Sequence, residues 1–440
     1  MIKLSRHNIT VGALAAISVV VLTVSTALAG GFGNRLQSSI GAGMSFAGSG
    51  TDAYGLSGMY WNPAAINTAT GFDWSSNYTF VAPYSKMTTQ PGSSPFLAGS
   101  SSSGNIGIDA FVPGTYGAYR INQDWTVGFA VTAPFGLGTK PDTPWKGQGL
   151  AVTSKAMVIN TDAVVGYRVN DWLSIAAGPS IVYANARFSR DVSPASPQLE
   201  LGTLRDLKDW GFGFTVGATV KPWQGGEFAI GYRSPVDLKL KGTLDSPFGS
   251  LPVAGKITLP DMLTLGFSQQ LDPQWKVLTS VEWKNWSRVK TVPFLVRSGP
   301  GAGSEATEID FNYRDGWNFA AGAEYEWDPK LTVRGGIAYE ISPVDDHNRI
   351  PGIPDADRFW VSAGLSYALT EHISVDFGYG HAFIPNAKIR QTVLVPVSPT
   401  VSVPQPFIAK AESRIDVVSL GFRYKFGGPA VTPMPEVTKP

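Results

Sequence analysis

The alternation of large apolar residues with small or polar residues most constrains how this chain can fold. In residues 331–340, the large apolar side chains Leu331, Val333, Ile337 and Tyr339 are separated by residues such as Thr332, Arg334, Gly336, Ala338 and Glu340. Residues 275–284, 317–326 and 373–380 repeat the pattern. Because successive side chains of a β-strand point to opposite faces, each segment predicts a strand with one apolar and one small or polar face.

A soluble β-sandwich would produce the same alternation, with its apolar faces turned inward. Three features favour a membrane barrel: the second face is rich in Gly, Ala and Ser, aromatic residues concentrate near strand ends, and short connectors alternate with long ones. The short connectors lie at 122–124, 170–171, 272–274, 328–330 and 370–371, and the long ones include 85–104, 191–206 and 385–411. A sandwich gives no reason for such regular alternation of loop length.

The number of segments between these connectors is even, as a barrel with both termini on the periplasmic side requires. The segments lie near 71–84, 105–121, 125–138, 152–169, 172–189, 208–221, 226–240, 257–270, 275–288, 311–327, 331–342, 357–369, 372–384 and 412–426. Each has at least the ~9–11 residues that a tilted spanning strand needs. We therefore predict an all-β fold, a fourteen-stranded antiparallel transmembrane β-barrel that occupies residues 71–426 as one domain.

The two ends of the chain differ from the barrel segments. Lys3 and Arg6 precede an apolar stretch at 11–22, and the small residues at 27–29 suit a signal-peptidase site, so residues 1–29 predict a cleaved signal peptide. An uncleaved anchor is the alternative, but the apolar stretch is shorter than the ~20 residues that a spanning helix needs. Residues 427–440 are rich in proline and are expected to form a periplasmic tail. The expected location is the outer membrane of a Gram-negative bacterium, among its lipid and lipopolysaccharide.

Composition excludes several classes of function. The chain has no cysteine, so it lacks disulfides and cysteine-ligated metal sites. A net charge of +1 leaves no electrostatic signature for nucleic acid. Besides His7 in the signal, the histidines are His347, His372 and His381, and their positions do not suggest a catalytic site. We expect no enzyme activity, no catalytic residue, no cofactor and no metal.

Residues 30–70 do not follow the strand pattern. They are dense in Gly, Ala and Ser and end in an Asn-Pro turn at Asn62 and Pro63. A barrel of fourteen strands is too wide for its side chains alone to fill, so this segment is suited to plug the lumen. A flexible leader is the alternative, and composition does not separate the two.

Several motifs in order resemble one known family. They are Gly-Met-Tyr-Trp-Asn-Pro-Ala-Ala-Ile at 58–66, Ala-Pro-Phe-Gly-Leu at 133–137, Trp-Lys-Asn-Trp-Ser-Arg at 283–288 and the Pro- and Asp-rich stretch at 342–358. Over residues 31–426 the chain resembles the long-chain fatty-acid and hydrocarbon transporters of the Gram-negative outer membrane, the FadL/TodX-like family. The stretch at 342–358 is the most specific match and resembles the fatty-acid branch.

The resemblance implies a mechanism. In this family, a hydrophobic ligand enters an apolar pocket from the outer loops, an N-terminal hatch blocks the straight path, and a kink in the third strand opens the wall for lateral exit. The hatch residues implied here are Gly30, Gly31, Phe32, Asn62, Pro63 and Ala64, with Phe32 able to contact ligand. The kink residues implied are Pro134, Phe135, Gly136 and Gly138, where strand hydrogen bonds are expected to fail. The alternative is that they simply end the strand below a loop.

A fatty-acid carboxylate would need one cation in a mostly apolar pocket. By alternation, the lumen-facing candidates for this head group are Arg233, Lys284 and Arg334. Each could instead pair with a lumen carboxylate such as Glu282, Glu324 or Glu340 and only strengthen the barrel.

The function predicted is passive, hatch-gated uptake of hydrophobic molecules, with long-chain fatty acids as the first choice of substrate. Monoaromatic hydrocarbons are the close second, and a general porin or an adhesin is the alternative from another class. We expect a monomer, because a closed sheet has no free edge.

Overall fold

A computed structural model describes residues 30–191, 202–246, 249–398 and 401–426. The predicted signal peptide at 1–29 and the predicted tail at 427–440 lie outside these residues. Within the described part of the chain, no helix is long and apolar enough to cross a membrane.

The described residues are mostly β-strand. The strands are β1 (Phe72–Thr89), β2 (Ser102–Asn105), β3 (Ala110–Arg120), β4 (Trp125–Thr139), β5 (Ser154–Arg168), β6 (Leu173–Arg190), β7 (Gly202–Val220), β8 (Gly226–Arg233), β9 (Val236–Ser246), β10 (Gly249–Leu259), β11 (Met262–Gln270), β12 (Trp275–Lys284), β13 (Thr291–Val296), β14 (Glu305–Asp310), β15 (Gly316–Glu326), β16 (Leu331–Ile341), β17 (Arg358–Ala368), β18 (Ile373–Ser398) and β19 (Val401–Phe426). One short α-helix, α1 (Ser39–Ala42), and the 3-10 helices Asp52–Tyr60, Pro63–Thr68 and Trp286–Arg288 complete the inventory.

These strands form a single closed antiparallel barrel with fourteen spans, which confirms the predicted fold. Closure comes from β1 and β19, whose register runs from Phe72 opposite Phe426 to Thr89 opposite Ala409. Four spans are each divided in two, as β8 with β9, β10 with β11, β12 with β13, and β14 with β15. The short strand β2 pairs with the outer end of β1.

One predicted outer loop is wrong. Residues 385–411 were expected to be an irregular connector, but most of them extend the β18–β19 hairpin beyond the barrel. Ile389 and Val393 alternate inward there and pack in an apolar cluster with Phe407 and Trp145. The prolines at 404 and 406 favour a loop in the sequence, because proline in a strand usually marks an edge or an end.

The two faces of the wall differ as the alternation predicts. Large apolar side chains on the outer face are exposed, as for Ile337, Tyr339 and Phe319. The intervening side chains point into the lumen and are buried, among them Glu282 and Ser362. An apolar surface of this kind suits contact with lipid, whereas a soluble sandwich would bury it.

Residues 30–66 lie inside the barrel and are almost all buried. Their polar groups bond to inward-facing strand residues: the hydroxyls of Ser39 and Ser419 lie 2.8 Å apart, and the Ser280 hydroxyl donates to the carbonyl of Phe46 over 2.7 Å. These contacts join the segment to strands on several sides of the lumen.

A collar of barrel glycines receives the backbone of this inner segment. A Cβ on any of them would collide with a backbone carbonyl: Gly114 with Gln37, Gly231 with Trp61, Gly266 with Ser49, Gly336 with Met44 and Gly378 with Ser39. Only glycine permits such close approach of two backbones. Residues 37–62 are therefore seated closely against the wall around the lumen.

The orientation of the apolar face can be tested with Ile337→Arg, which places a charge at the centre of β16 on the outer face. We expect a loss of about 2–4 kcal/mol in barrel stability, because a cation there faces hydrocarbon. Urea titration in lipid vesicles, followed by the heat-dependent gel mobility of the folded barrel, measures this loss. Ala302→Arg, in an exposed outer loop, is the control. Equal stability of both variants would contradict an outward-facing position for Ile337.

Candidate functional site

The wall of the barrel is irregular in β4, the third span. Pairing of β3 with β4 runs without interruption from Arg120 opposite Thr126 to Gly114 opposite Thr132. Pairing on this side of β4 resumes at residues 106–108, which precede β3: Gly107 bridges Thr139, and the Ile108 N–H donates to the Gly138 carbonyl over 3.2 Å. The register of β4 with β5 also shifts between Thr132 and Phe135. The structure thus places Pro134, Phe135 and Gly136 in this interruption, and Gly138 at its outer end, where pairing resumes.

The start of the inner segment supplies the hydrogen bonds that β3 does not. The backbone N–H of Asn34 donates to the carbonyl of Pro134 over 2.9 Å, and the N–H of Gly136 donates to the carbonyl of Phe32 over 2.6 Å. Gly33 and Phe135 form an antiparallel bridge. Residues 30–36, which we call the tip, therefore complete the wall from inside as a short extra strand.

Phe32 anchors the tip in an aromatic cluster. Its ring centroid lies 4.7 Å from that of Trp286 in an edge-to-face arrangement, and about 6 Å from those of Phe135 and Phe311. The side chain is buried. Aromatic contacts of this type each add roughly 0.5–1.5 kcal/mol beyond the area that they bury.

Trp286 is itself held by the loop that follows β12. Asp315 accepts hydrogen bonds from the Trp283 indole over 3.0 Å and from the Ser287 N–H over 3.1 Å. Partial burial opposes the ionisation of Asp315, but these hydrogen bonds outweigh it and lower the pKa of this carboxyl. Tyr313 packs against Trp286 at 5.8 Å between ring centroids, and burial raises the pKa of Tyr313 far above its ordinary value. The Tyr313 phenol therefore stays neutral and packs beside Trp286 as an uncharged aromatic ring.

Three cavities follow one another from the outer loops, past Phe32, to the interruption in β4. The outer groove, of about 390 Å³, is lined by residues of several outer connectors and strand ends. It shares Phe188 and Ile309 with an apolar cavity of about 40 Å³ whose wall includes Phe32. That cavity shares Val158 and Leu259 with a third one, also about 40 Å³, which reaches Arg233, Lys284 and Pro134. The series forms a path that is narrow at its inner end.

A group of six buried charged side chains surrounds the tip. We call Arg35, Glu282, Lys284, Glu340, Asp355 and Arg358 the tip cluster, and the side chain of each is at most 8% exposed. Arg35 bridges Glu282 and Glu340 at 2.8 Å each, and Lys284 lies 3.2 Å from Glu282. Arg358 pairs with Asp355 and lies 3.6 Å from Glu340. The backbone nitrogens of Gly30 and Gly31 donate to Glu340 and Asp355 over 3.0 and 2.8 Å.

The three head-group candidates all have carboxylate partners. Lys284 pairs with Glu282, as described above, and Arg334 pairs with Glu324 at 3.0 Å. Arg233 pairs with Asp162 at 2.7 Å and stacks over the Tyr60 ring at 4.8 Å. Lys284 and Arg233 line the third cavity, whereas Arg334 is absent from the described walls of the three cavities. Sequence reasoning missed Asp162 and Arg35, although the alternation in β5 places Asp162 on the inner face.

Asn62, Pro63 and Ala64 lie at the other end of the inner segment, away from the tip. The Asn62 side chain accepts from the N–H of Ala64 over 3.0 Å and so caps the 3-10 helix Pro63–Thr68. Its amide donates to the Thr219 hydroxyl over 3.0 Å and to the carbonyl of Ala218 over 3.1 Å. The motif therefore fixes the base of the segment to β7. Among the described residues, no group of three or more His, Asp or Glu is placed to hold a metal ion.

Comparison with known proteins gives consistent results. A family model described as "Outer membrane protein transport protein (OMPP1/FadL/TodX)" matches residues 20–426. The long-chain fatty acid transport protein of Escherichia coli K12 is 28% identical over 422 residues, which cover 86% of this chain and 93% of that protein. Outer membrane protein P1 of Haemophilus influenzae is 27% identical over 409 residues, covering 83% and 88%.

Solved structures share the fold. The crystal structure of a Pseudomonas aeruginosa FadL homologue has a TM-score of 0.77 at 21% identity, covering 90% of this chain and all of that one. The Ralstonia pickettii toluene transporter TbuX has a TM-score of 0.64 at 21% identity, covering 89% and 99%. At these identities, the likeness extends to the fold alone.

The attachment at Asn62 can be tested with Asn62→Ala, which removes a buried cap and its bonds to β7. We expect the base of the inner segment to loosen by about 1–3 kcal/mol. Hydrogen exchange measured by mass spectrometry would show amides of residues 50–68 exchanging faster by about one to two orders of magnitude. Asn67→Ala is the matched control, since that amide makes longer bonds, of 3.2 and 3.4 Å. Unchanged exchange in Asn62→Ala would refute the attachment.

Proposed function

The chain belongs to the outer membrane protein transport family (OMPP1/FadL/TodX), and from that membership we propose that it takes up long-chain fatty acids by passive, tip-gated diffusion with lateral exit at the β4 interruption. It is an outer-membrane protein, and the relatives named as transporters carry hydrophobic molecules, a long-chain fatty acid in one case and toluene in another. The observation that carries the gating proposal is the contact of the tip with β4. One short segment both forms part of the wall of the cavity path, through Phe32, and completes the wall of the barrel.

The first step is capture in the outer groove. A groove of about 390 Å³ falls within the ~300–1,000 Å³ usual for ligand pockets. Its wall combines apolar side chains such as Phe188 and Ile350 with polar ones such as Asn348 and Gln391. An acyl chain can then leave water in stages, and each buried methylene contributes about 0.8 kcal/mol.

The second step requires the tip to move. The apolar cavity of about 40 Å³ has room for roughly three water molecules and therefore cannot hold an acyl chain as it stands. Phe32 forms part of its wall, so withdrawal of this ring enlarges the cavity. Because the same segment bonds to Pro134 and Gly136, its withdrawal also exposes the interruption in β4.

The third step is exit through the wall. Loss of the tip leaves backbone groups of β4 without partners next to lipid, which is costly unless water or ligand reaches them. The opening is therefore transient and coupled to occupancy. In this proposal residues 30–70 act as the hatch, with a mobile tip and a base fixed at Asn62, Pro63 and Ala64. A general porin does not fit this arrangement, because the lumen is filled by residues 30–66.

Fatty acid is proposed over monoaromatic hydrocarbon because the third cavity is lined by two cations, Arg233 and Lys284. A carboxylate can share these cations, whereas an uncharged hydrocarbon gains nothing from them. The aromatic wall of the apolar cavity, with Phe32, Phe294 and Phe311, is what favours the hydrocarbon alternative.

Gating can be tested with a reversible cross-link between Gly33→Cys and Phe135→Cys, the bridge partners that join the tip to β4. The chain has no cysteine of its own, so the pair is selective. We expect oxidation to stop oleate uptake by cells and a reductant to restore it. Ala320→Cys with Ala338→Cys, which joins paired residues of β15 and β16, is the control that should transport in both states. Equal uptake by the oxidised and reduced tip variant would rule out gating by the tip.

Substrate class can be tested by binding of oleate and of toluene to the purified protein. Lys284→Met should weaken oleate binding by roughly 10- to 100-fold, the effect of losing a hydrogen bond to a charged group. Toluene binding should not change, because toluene carries no charge. Lys410→Met, on an exposed cation of β19, is the control. Tight toluene binding without oleate binding would instead assign the hydrocarbon function.

A further inference from the structure

The net charge of the tip cluster depends on whether the chain is cleaved before Gly30. Its three cations and three carboxylates balance, and the neighbouring buried Arg349 pairs with its own carboxylate, Asp346. In the uncleaved chain, the Gly30 nitrogen is a peptide amide that donates to Glu340. Hydrolysis of the Ala29–Gly30 bond would consume one water and leave a carboxylate on Ala29 and an amine on Gly30. That amine takes up a proton near neutral pH, since a free α-amino group has a pKa of about 7.7–8.0.

We propose that the α-ammonium of Gly30, created by signal-peptide cleavage, is a seventh charged group of the tip cluster, pairs with Glu340, and gives the cluster a net single positive charge that selects an anionic head group. The proposal rests on the proposed function for its ligand, and on cleavage after Ala29 for its cation. In this proposal the mature amino terminus takes part in ligand binding, in addition to being the first residue of the inner segment.

The geometry at the start of the tip fits a terminal ammonium. The Gly30 nitrogen lies 3.0 Å from Glu340 Oε1, so a small shift brings it into the range of about 2.7–2.9 Å that is usual for a charge-assisted hydrogen bond. Glu340 also contacts Arg35 and accepts a hydrogen bond from the Trp360 indole over 3.3 Å, so the carboxylate is held in place. A buried ammonium needs such a partner, because an unpaired charge in this environment is very costly.

The first two residues also suit a chain that begins at Gly30. A Cβ on Gly30 would collide with Glu340 Oε1, so a side chain there would displace this buried carboxylate from its present position. Gly31 has φ of 67°, in the left-handed region that favours glycine. Its N–H donates to Asp355. The pair of glycines thus turns the terminus toward two buried carboxylates immediately before Phe32.

The extra charge links head-group binding to the tip. Lys284 belongs to the tip cluster and also lines the third cavity, so a carboxylate that reaches Lys284 enters the field of the cluster. This carboxylate neutralises the net charge and competes with Glu340 for the ammonium. Weakening of that ion pair releases Gly30, and this release allows the Phe32 ring to withdraw from the wall of the apolar cavity. An uncharged molecule of the same length gains no such advantage.

The test labels the terminal amine of the mature protein purified in detergent from outer membranes. Mass spectrometry first establishes that the chain begins at Gly30. An acylating reagent at pH 7 then reports access to the α-amine, because lysine side chains are mostly protonated at this pH. We expect labelling of Gly30 to be at least tenfold slower in the native protein than in Glu340→Gln. Glu412→Gln, on an exposed carboxylate, should label like the native protein.

Ligands provide a second arm that does not depend on any variant. Saturating oleate should speed labelling of native Gly30 several-fold, and oleyl alcohol should not. A mature chain that starts elsewhere, or an amine that labels at the rate of an exposed terminal glycine, overturns the proposal. Equal effects of acid and alcohol overturn the selectivity. Because labelling needs no transport, a protein that labels as expected but takes up no oleate contradicts the proposed function alone.

Discussion

The need to satisfy every backbone hydrogen bond inside a membrane governs this structure. Lipid offers no partners, so a sheet must close on itself. The β1–β19 pairing provides that closure, and the interruption in β4 is completed from inside by residues 32–34. The wall of the barrel and the inner segment are thereby one hydrogen-bonded system. Displacement of the tip is a change in the wall as well as in the lumen.

The inner segment divides into a part that is fixed and a part that can move. The glycine collar holds residues 37–62 so closely that no side chain fits between the backbones, and Asn62 bonds to β7. The tip is held differently, by Phe32, by a few hydrogen bonds to β4 and by the charges around Arg35. These contacts can exchange for contacts with a ligand. Withdrawal of the whole segment would have no such compensation, so we infer that gating is confined to the tip.

Much of the fold was predictable because one local rule, the alternation of side chains, also decides which side faces lipid. That rule fixed the fourteen spans and placed Glu282, Lys284 and Glu340 in the lumen. It failed at 385–411, where prolines occupy a paired strand. The alternation rule also could not identify Arg35, because the tip does not follow the strand period. It could not predict which carboxylate pairs with each cation. The pairing of Arg233 with Asp162 joins β8 to β5, and such distant partners depend on barrel geometry that no local pattern contains.

The small inner cavities bear on how the proposed gating is driven. An acyl chain of about sixteen carbons gains of the order of 10 kcal/mol when it leaves water. Withdrawal of Phe32 forfeits about 2–3 kcal/mol of apolar burial, and each broken hydrogen bond of the tip costs about 0.5–1.5 kcal/mol. In the proposed gating, provided that Arg35 keeps its carboxylate partners, the ligand supplies enough binding energy to open the path, whereas a small solute such as a sugar does not. In this proposal, selection by hydrophobic length follows from a closed resting state, because only a molecule whose burial offsets the free energy of opening can widen the path.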